Sequence, residues 1–167
     1  MINVFMVAAL SADGFIARDN SAPSTAWTSK ADKKRFSELS KRAGVVVMGS
    51  TTYETIGKPL PGRVNIVYIP PGKTYEGVET TAKPPAELIA ELDKRGFKEV
   101  AICGGASIYT MFMKAGLIDT MYLTMEPVLF GSGTRLFRER IDATLELVSS
   151  VKADSSTLLE YKVLKNS

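Results

Sequence analysis

A chain with no histidine leaves any proton transfer to other groups, and Asp32 is one candidate acid. It lies three residues after Ser29, in the first turn of a segment whose apolar residues recur at helical spacing. A carboxylate there answers the Ser29 cap and the positive end of the helix, which by itself is a sufficient structural role. Asp32 and Phe36 share one helical face, and Trp27 stands just before the helix. The lack of histidine excludes Ser-His-Asp and Cys-His catalysis and the usual zinc sites. Proton transfer falls to a carboxylate, Lys, Tyr, Cys or water.

Two further stretches suit anions. Val45 to Met48 is an apolar run that stops at Gly49, and Ser50, Thr51 and Thr52 follow as a hydroxyl-rich turn opening a short helix. A strand running into a helix N-terminus offers unpaired backbone N–H groups to a phosphate. That helix ends at Gly57, and Pro-Leu-Pro-Gly then sets Arg63 in a rigid turn where it can clamp a carboxylate. Gly104-Gly105 repeats the arrangement between an apolar run and a helix. A Gly-Gly pair is also what any turn with unusual backbone angles requires. Walker, G-x-S-x-G and G-x-G-x-x-G patterns are absent from the sequence.

The elements that must position these groups alternate. Ile2 to Leu10 reads as a central strand covered on both faces, and residues 11–26 as a long polar loop. Thr28 or Ser29 caps a helix to about Arg42. Strands are expected at 45–48, 65–69, 78–81, 99–103 and 120–125, and helices at 84–94 and 107–115. Segments 145–151 and 157–163 form a closing antiparallel pair. This predicts an α/β fold: a mostly parallel mixed sheet, helices on both faces and an antiparallel pair at the C-terminal end. The 167 residues fit one domain, 1–167.

Net charge is +3, and the basic residues are scattered apart from a cluster at Lys30 to Arg35 with Lys41 and Arg42. That cluster reads as a solvated helix face rather than a nucleic-acid surface. Cys103 is the single cysteine, so no internal disulfide forms and a reducing compartment fits. No apolar run is long enough to span a bilayer and no leader pattern precedes the first strand, so a cytoplasmic protein is expected.

Trp27-Asp32-Phe36, the 46–63 segment and Ile-Cys-Gly-Gly-Ala-Ser-Ile-Tyr at 102–109 together resemble the dihydrofolate reductase family, in order and over essentially the whole chain. The resemblance implies NADPH-dependent hydride transfer to C6 of dihydrofolate, with a proton to N5. It makes Asp32 the acid in the pteridine pocket, where two carboxylate oxygens match the pterin 2-amino group and N3–H. Burial beside Phe36 is expected to raise its pKa and favour proton delivery. Trp27 and Thr124 would support the acid. Ala8, Phe36, Ile56 and Leu60 would line the substrate channel, with Arg63 on the folate tail. Cofactor contacts would come from Ala9 and Ile16, from Gly49, Ser50, Thr51 and Thr52, and from Cys103, Gly104, Gly105, Ala106, Ser107 and Ile108. Tyr109 would lie near the nicotinamide, and the Gly104–Gly105 peptide would be cis. Residues 17–26 would be a lid that excludes water.

Departures from that pattern carry their own expectations. Lys33 follows the acid where the family usually has an apolar residue, which predicts weak inhibition by diaminopyrimidine antifolates. Basic side chains for the cofactor 2′-phosphate are missing at Ser50, Thr51 and Ser107, leaving Arg18 and Lys73 as unplaced cations. Asp13 to Ala17 and Gly131 to Phe137 resemble the riboflavin-biosynthesis reductase domain, a sister group acting on a ribosylaminouracil phosphate. A related stand-alone NADPH reductase, or a cofactor-binding protein without turnover, completes the alternatives. Pro59 to Arg63 favours folate, since it positions a tail clamp.

Overall fold

Residues of the first strand face two ways, and the fold follows from that alternation. The computed structural model describes residues 1–19 and 22–165. In chain order its elements are β1 (Asn3–Ser11), β2 (Phe15–Ala17), a 3-10 turn (Ser24–Ala26), α1 (Lys30–Ala43), β3 (Val45–Gly49) and α2 (Ser50–Ile56). Then come β4 (Val64–Tyr68), β5 (Glu79–Thr81), α3 (Pro85–Lys94), β6 (Glu99–Ile102), α4 (Ala106–Lys114) and β7 (Thr120–Glu126). The chain closes with β8 (Thr134–Arg135), β9 (Thr144–Ala153) and β10 (Ser156–Leu164).

Eight strands form one sheet in the order β5-β4-β3-β6-β1-β7-β10-β9. The pairs from β5 through β7 are parallel, and β7, β10 and β9 are antiparallel neighbours. Val4, Met6, Ala8 and Leu10 of β1 join Val45 and Val47 under Leu88, Leu92 and Phe112 of α3 and α4. The intervening Phe5 and Val7 join Val46 and Met48 under Leu39, Ala43 and Tyr53 of α1 and α2. The side-chain period of two therefore builds one core on each face, which is why β1 and β3 read as unbroken apolar runs. Phe5 and Phe112 are wholly buried, and truncating either to alanine costs about 3–5 kcal/mol. Among the described residues no helix is long and apolar enough to cross a membrane.

Helix α1 starts as its sequence predicts: the Ser29 Oγ accepts the Asp32 N–H at 3.1 Å. Within the loop expected over 11–26, residues 15–17 form β2, which pairs antiparallel with β8 as a separate two-stranded ribbon. Gly133 makes that crossing possible: its φ is +146°, and a Cβ there would stand 2.2 Å from the Ala17 carbonyl oxygen. Asn20 and Ser21, in the middle of the expected lid, lie outside the described residues.

Candidate active site

The carboxyl ends of β1, β3 and β6 open into one cleft of about 730 Å³. In open parallel sheets this is where ligands bind, because flanking connections diverge there. One wall is the start of α1, with Asp32, Lys33 and Phe36. The opposite wall holds the N-termini of α2 and α4, with Ser50 to Thr52 and Gly104 to Ser107. Residues 17, 19 and 22–25 line the same cleft, so the segment expected to be a lid does border it.

Asp32 is 9 % exposed. Burial holds its carboxyl above the usual carboxylate range, and the like charge of Glu126 adds to that. The Thr124 hydroxyl hydrogen-bonds the carboxylate and pulls the other way, as do Arg35 and Lys33. Thr124 is itself buried and is not among the residues that line the cleft. Arg35 is held off: its Nη1 donates to Leu123 O at 3.2 Å and its Nη2 to Leu159 O at 2.6 Å.

Trp27 does not join the acid. Its N–H closes the 3-10 turn on Ser24 O at 3.1 Å, and the indole packs edge-on against Phe130, centroids 5.0 Å apart. The turn directs the ring toward the 127–131 loop, away from the residues lining the cleft.

Ala8, Phe36, Ile56, Leu60 and Arg63 all line the cleft, as expected. Arg63 donates from Nε to Pro61 O at 2.9 Å and from Nη1 to Ser40 Oγ at 2.8 Å. These bonds fix the guanidinium and leave its outer Nη1–Nη2 edge for an end-on pair with a carboxylate.

The opposite wall is a backbone cradle. The Gly49 N–H donates to Gly104 O at 2.8 Å, tying the two helix starts together. The Gly104–Gly105 peptide is cis, as the resemblance implied. Gly104 has φ +110°, and a Cβ there would press on the Tyr109 hydroxyl at 3.1 Å. That hydroxyl donates to Val7 O at 2.7 Å, bracing α4 against β1. Desolvation raises the Tyr109 phenol well above its ordinary value and pushes the Cys103 thiol up to about 12, so neither is a proton donor near neutrality. Ala9, Ile16, Ala106 and Ile108 also border the cleft.

The two unplaced cations are spent elsewhere. Arg18 lies over the Phe130 ring at 4.1 Å, and Lys73 pairs with Glu54 at 3.0 Å. Arg138, which sequence reasoning passed over, borders the cleft beside Ser107 instead. Glu126 was passed over as well. It stands two residues beyond Thr124 in a strand, and the period of two would have placed both on one side.

Comparison with known proteins follows the geometry. The dihydrofolate reductase family profile matches residues 3–162. The dihydrofolate reductase of Bacillus subtilis (strain 168) is 30 % identical over 167 residues, covering 96 % of this chain and 92 % of the relative. The dihydrofolate reductase of Enterococcus faecalis, solved with NADP(H) and RAB-propyl, superposes with TM-score 0.79 at 26 % identity, covering 98 % of this chain and 97 % of that one. A proposed riboflavin biosynthesis protein from Shewanella sp. PV-4 superposes with TM-score 0.80 at 25 % identity, covering 98 % of this chain and all of that one, 100 %.

Proposed function

The chain belongs to the dihydrofolate reductase family, and from that premise we propose that it reduces 7,8-dihydrofolate to tetrahydrofolate with NADPH. The observation that carries this reading is a buried carboxyl, raised by desolvation, facing across one cleft to a phosphate-ready backbone cradle. The cradle fits a dinucleotide: two helix starts meet there, and a Cβ on Gly105 would come within 3.4 Å of Thr52 Oγ1. Gly49 to Thr52 and Gly104 to Ser107 would hold its phosphates. When bound, the reduced nicotinamide supplies a hydride to C6, and a proton to N5 completes the product.

The protein's own residues do the rest. Asp32 accepts the two pterin donors when ionised and, held above the usual carboxylate range, carries a proton further toward neutrality. Thr124 fixes the orientation of that carboxyl. Phe36, Ile56 and Leu60 present apolar surface to the ring system, and Arg63 takes the carboxylate tail. Tyr109 keeps the floor of the cleft rigid through Val7. Residues 17, 19 and 22–25, which border the cleft, would help to exclude water.

Lys33 supports a second reading. It lines the cleft beside Asp32, where it adds a cation to the substrate wall. With the likeness to the Shewanella protein, this favours a phosphorylated ribosylaminouracil as the competing substrate. Spectrophotometric NADPH oxidation with dihydrofolate, with that phosphate and with neither decides between them. A dihydrofolate-dependent rate is expected. No such rate at micromolar enzyme contradicts the proposal, and tight NADPH binding without any turnover would identify a cofactor-binding protein.

A further inference from the structure

Glu126 ends β7 at 3 % exposure, and the reaction as described gives it no task. A carboxylate is rarely buried so deeply without a partner. Its partner is Ser29, whose hydroxyl donates to Glu126 Oε1 at 2.9 Å. The same Ser29 oxygen accepts the Asp32 N–H at 3.1 Å. A serine hydroxyl has one proton to give. Giving it to Glu126 leaves a lone pair for the helix N–H, so Glu126 orients the cap and the cap orients the turn that carries Asp32. The charge of Glu126 also opposes charge on Asp32. The other groups acting on Asp32 are Lys33 and Arg35 of α1, Thr124 of β7 and Tyr109 of α4. Arg35 is committed to two backbone carbonyls, so it gives Asp32 no direct hydrogen bond to set against Glu126.

We propose that Glu126 is a positioning residue for proton transfer: through the Ser29 hydroxyl, which also accepts the Asp32 N–H, it holds the first turn of α1 and with it the Asp32 carboxyl. The reaction it serves rests on the function proposed above. The link between the two carboxylates is a property of the protein without substrate.

The test is a 13C NMR titration of the Asp32 carboxyl in the wild-type protein and in Glu126→Gln, with the hydride-transfer rate followed over the same pH range. Glutamine keeps an oxygen for Ser29 and removes the charge. The Asp32 midpoint should fall in Glu126→Gln, and the alkaline limb of hydride transfer should move down with it. An unchanged midpoint in folded Glu126→Gln overturns the proposal, because a purely structural Glu126 would alter melting temperature alone. If that variant does not fold, Ser29→Ala decides. Ser29→Ala should slow hydride transfer while the Asp32 midpoint stays raised; a wild-type rate there overturns the positioning role. A midpoint that shifts as expected in a protein without dihydrofolate turnover supports the link and contradicts the proposed function instead.

Discussion

Two aspartates bracket the segment between β1 and α1, and their surroundings drive them in opposite directions. Asp32 sits in a cleft wall where burial and Glu126 hold its carboxyl up. Asp13 sits on the exposed turn after β1, where the Ser11 hydroxyl and the Gly131 and Phe130 amides hold it down, at about 2. Its oxygens accept the Gly131 N–H at 2.7 Å and the Phe130 N–H at 3.1 Å. One carboxyl is disfavoured as a charge and so is available to carry a proton. The other is satisfied as a charge and ties the 127–131 loop to the base of the lid segment. Residue type says nothing about which is which; the donors and the solvent around each decide it.

The largest effect should come from removing the raised acid. Asp32→Asn should lower turnover about 10²–10⁴-fold while leaving the fold intact or more stable at neutral pH. The sign follows from linkage: between the ordinary carboxylate value and the raised folded value, the native state binds more protons than the unfolded chain. Stability contributed by Asp32 therefore falls as pH rises through that window. Melting curves of both proteins at acidic and neutral pH check this, and a neutral-pH loss of stability in Asp32→Asn would break the comparison.

Gly133→Ala should come next, at about 3 kcal/mol of stability by chemical denaturation, because its Cβ would meet the Ala17 carbonyl at 2.2 Å. That clash parts β2 from β8 and loosens the Asp13 side of the segment while sparing Asp32. A wild-type midpoint would show that the ribbon is not needed. Arg63→Ala should raise KM for dihydrofolate about tenfold with kcat little changed, the mark of a lost ground-state contact; an unchanged KM removes the clamp.

The smallest effect belongs to Asp13. Its folded value lies below the unfolded one, so its contribution is present above about pH 4 and is lost as pH falls toward about 2. Asp13→Asn should flatten the acid limb of the stability curve, and an unaltered limb would mean that the Gly131 and Phe130 contacts add nothing.

How much of this was legible in the sequence differs between the same two regions. Asp32 and Phe36 lie within one helix, where spacing alone fixes the shared face, and Ser29 caps that helix as the pattern put it. The Gly49 and Gly104 turns were equally clear, because each ends an apolar run that only a buried parallel strand explains. The Asp13 side was not. Its ribbon has strands of three and two residues, too short for any period to register. The contact of the Trp27 ring with Phe130 was not legible either, because it follows from a three-residue 3-10 turn. The period of two puts Glu126 on the Thr124 side of β7, but its bond to Ser29 spans 97 residues and no local pattern encodes it.

The account stands most directly on the pH dependence of hydride transfer, measured in single turnovers with NADPH and dihydrofolate. The wild-type rate should decline as pH rises through a midpoint above the ordinary carboxylate range, and Asp32→Asn should be slower throughout and lack that midpoint. The same midpoint persisting in Asp32→Asn, or near-normal rates in that variant, would show that Asp32 is only a helix-capping carboxylate.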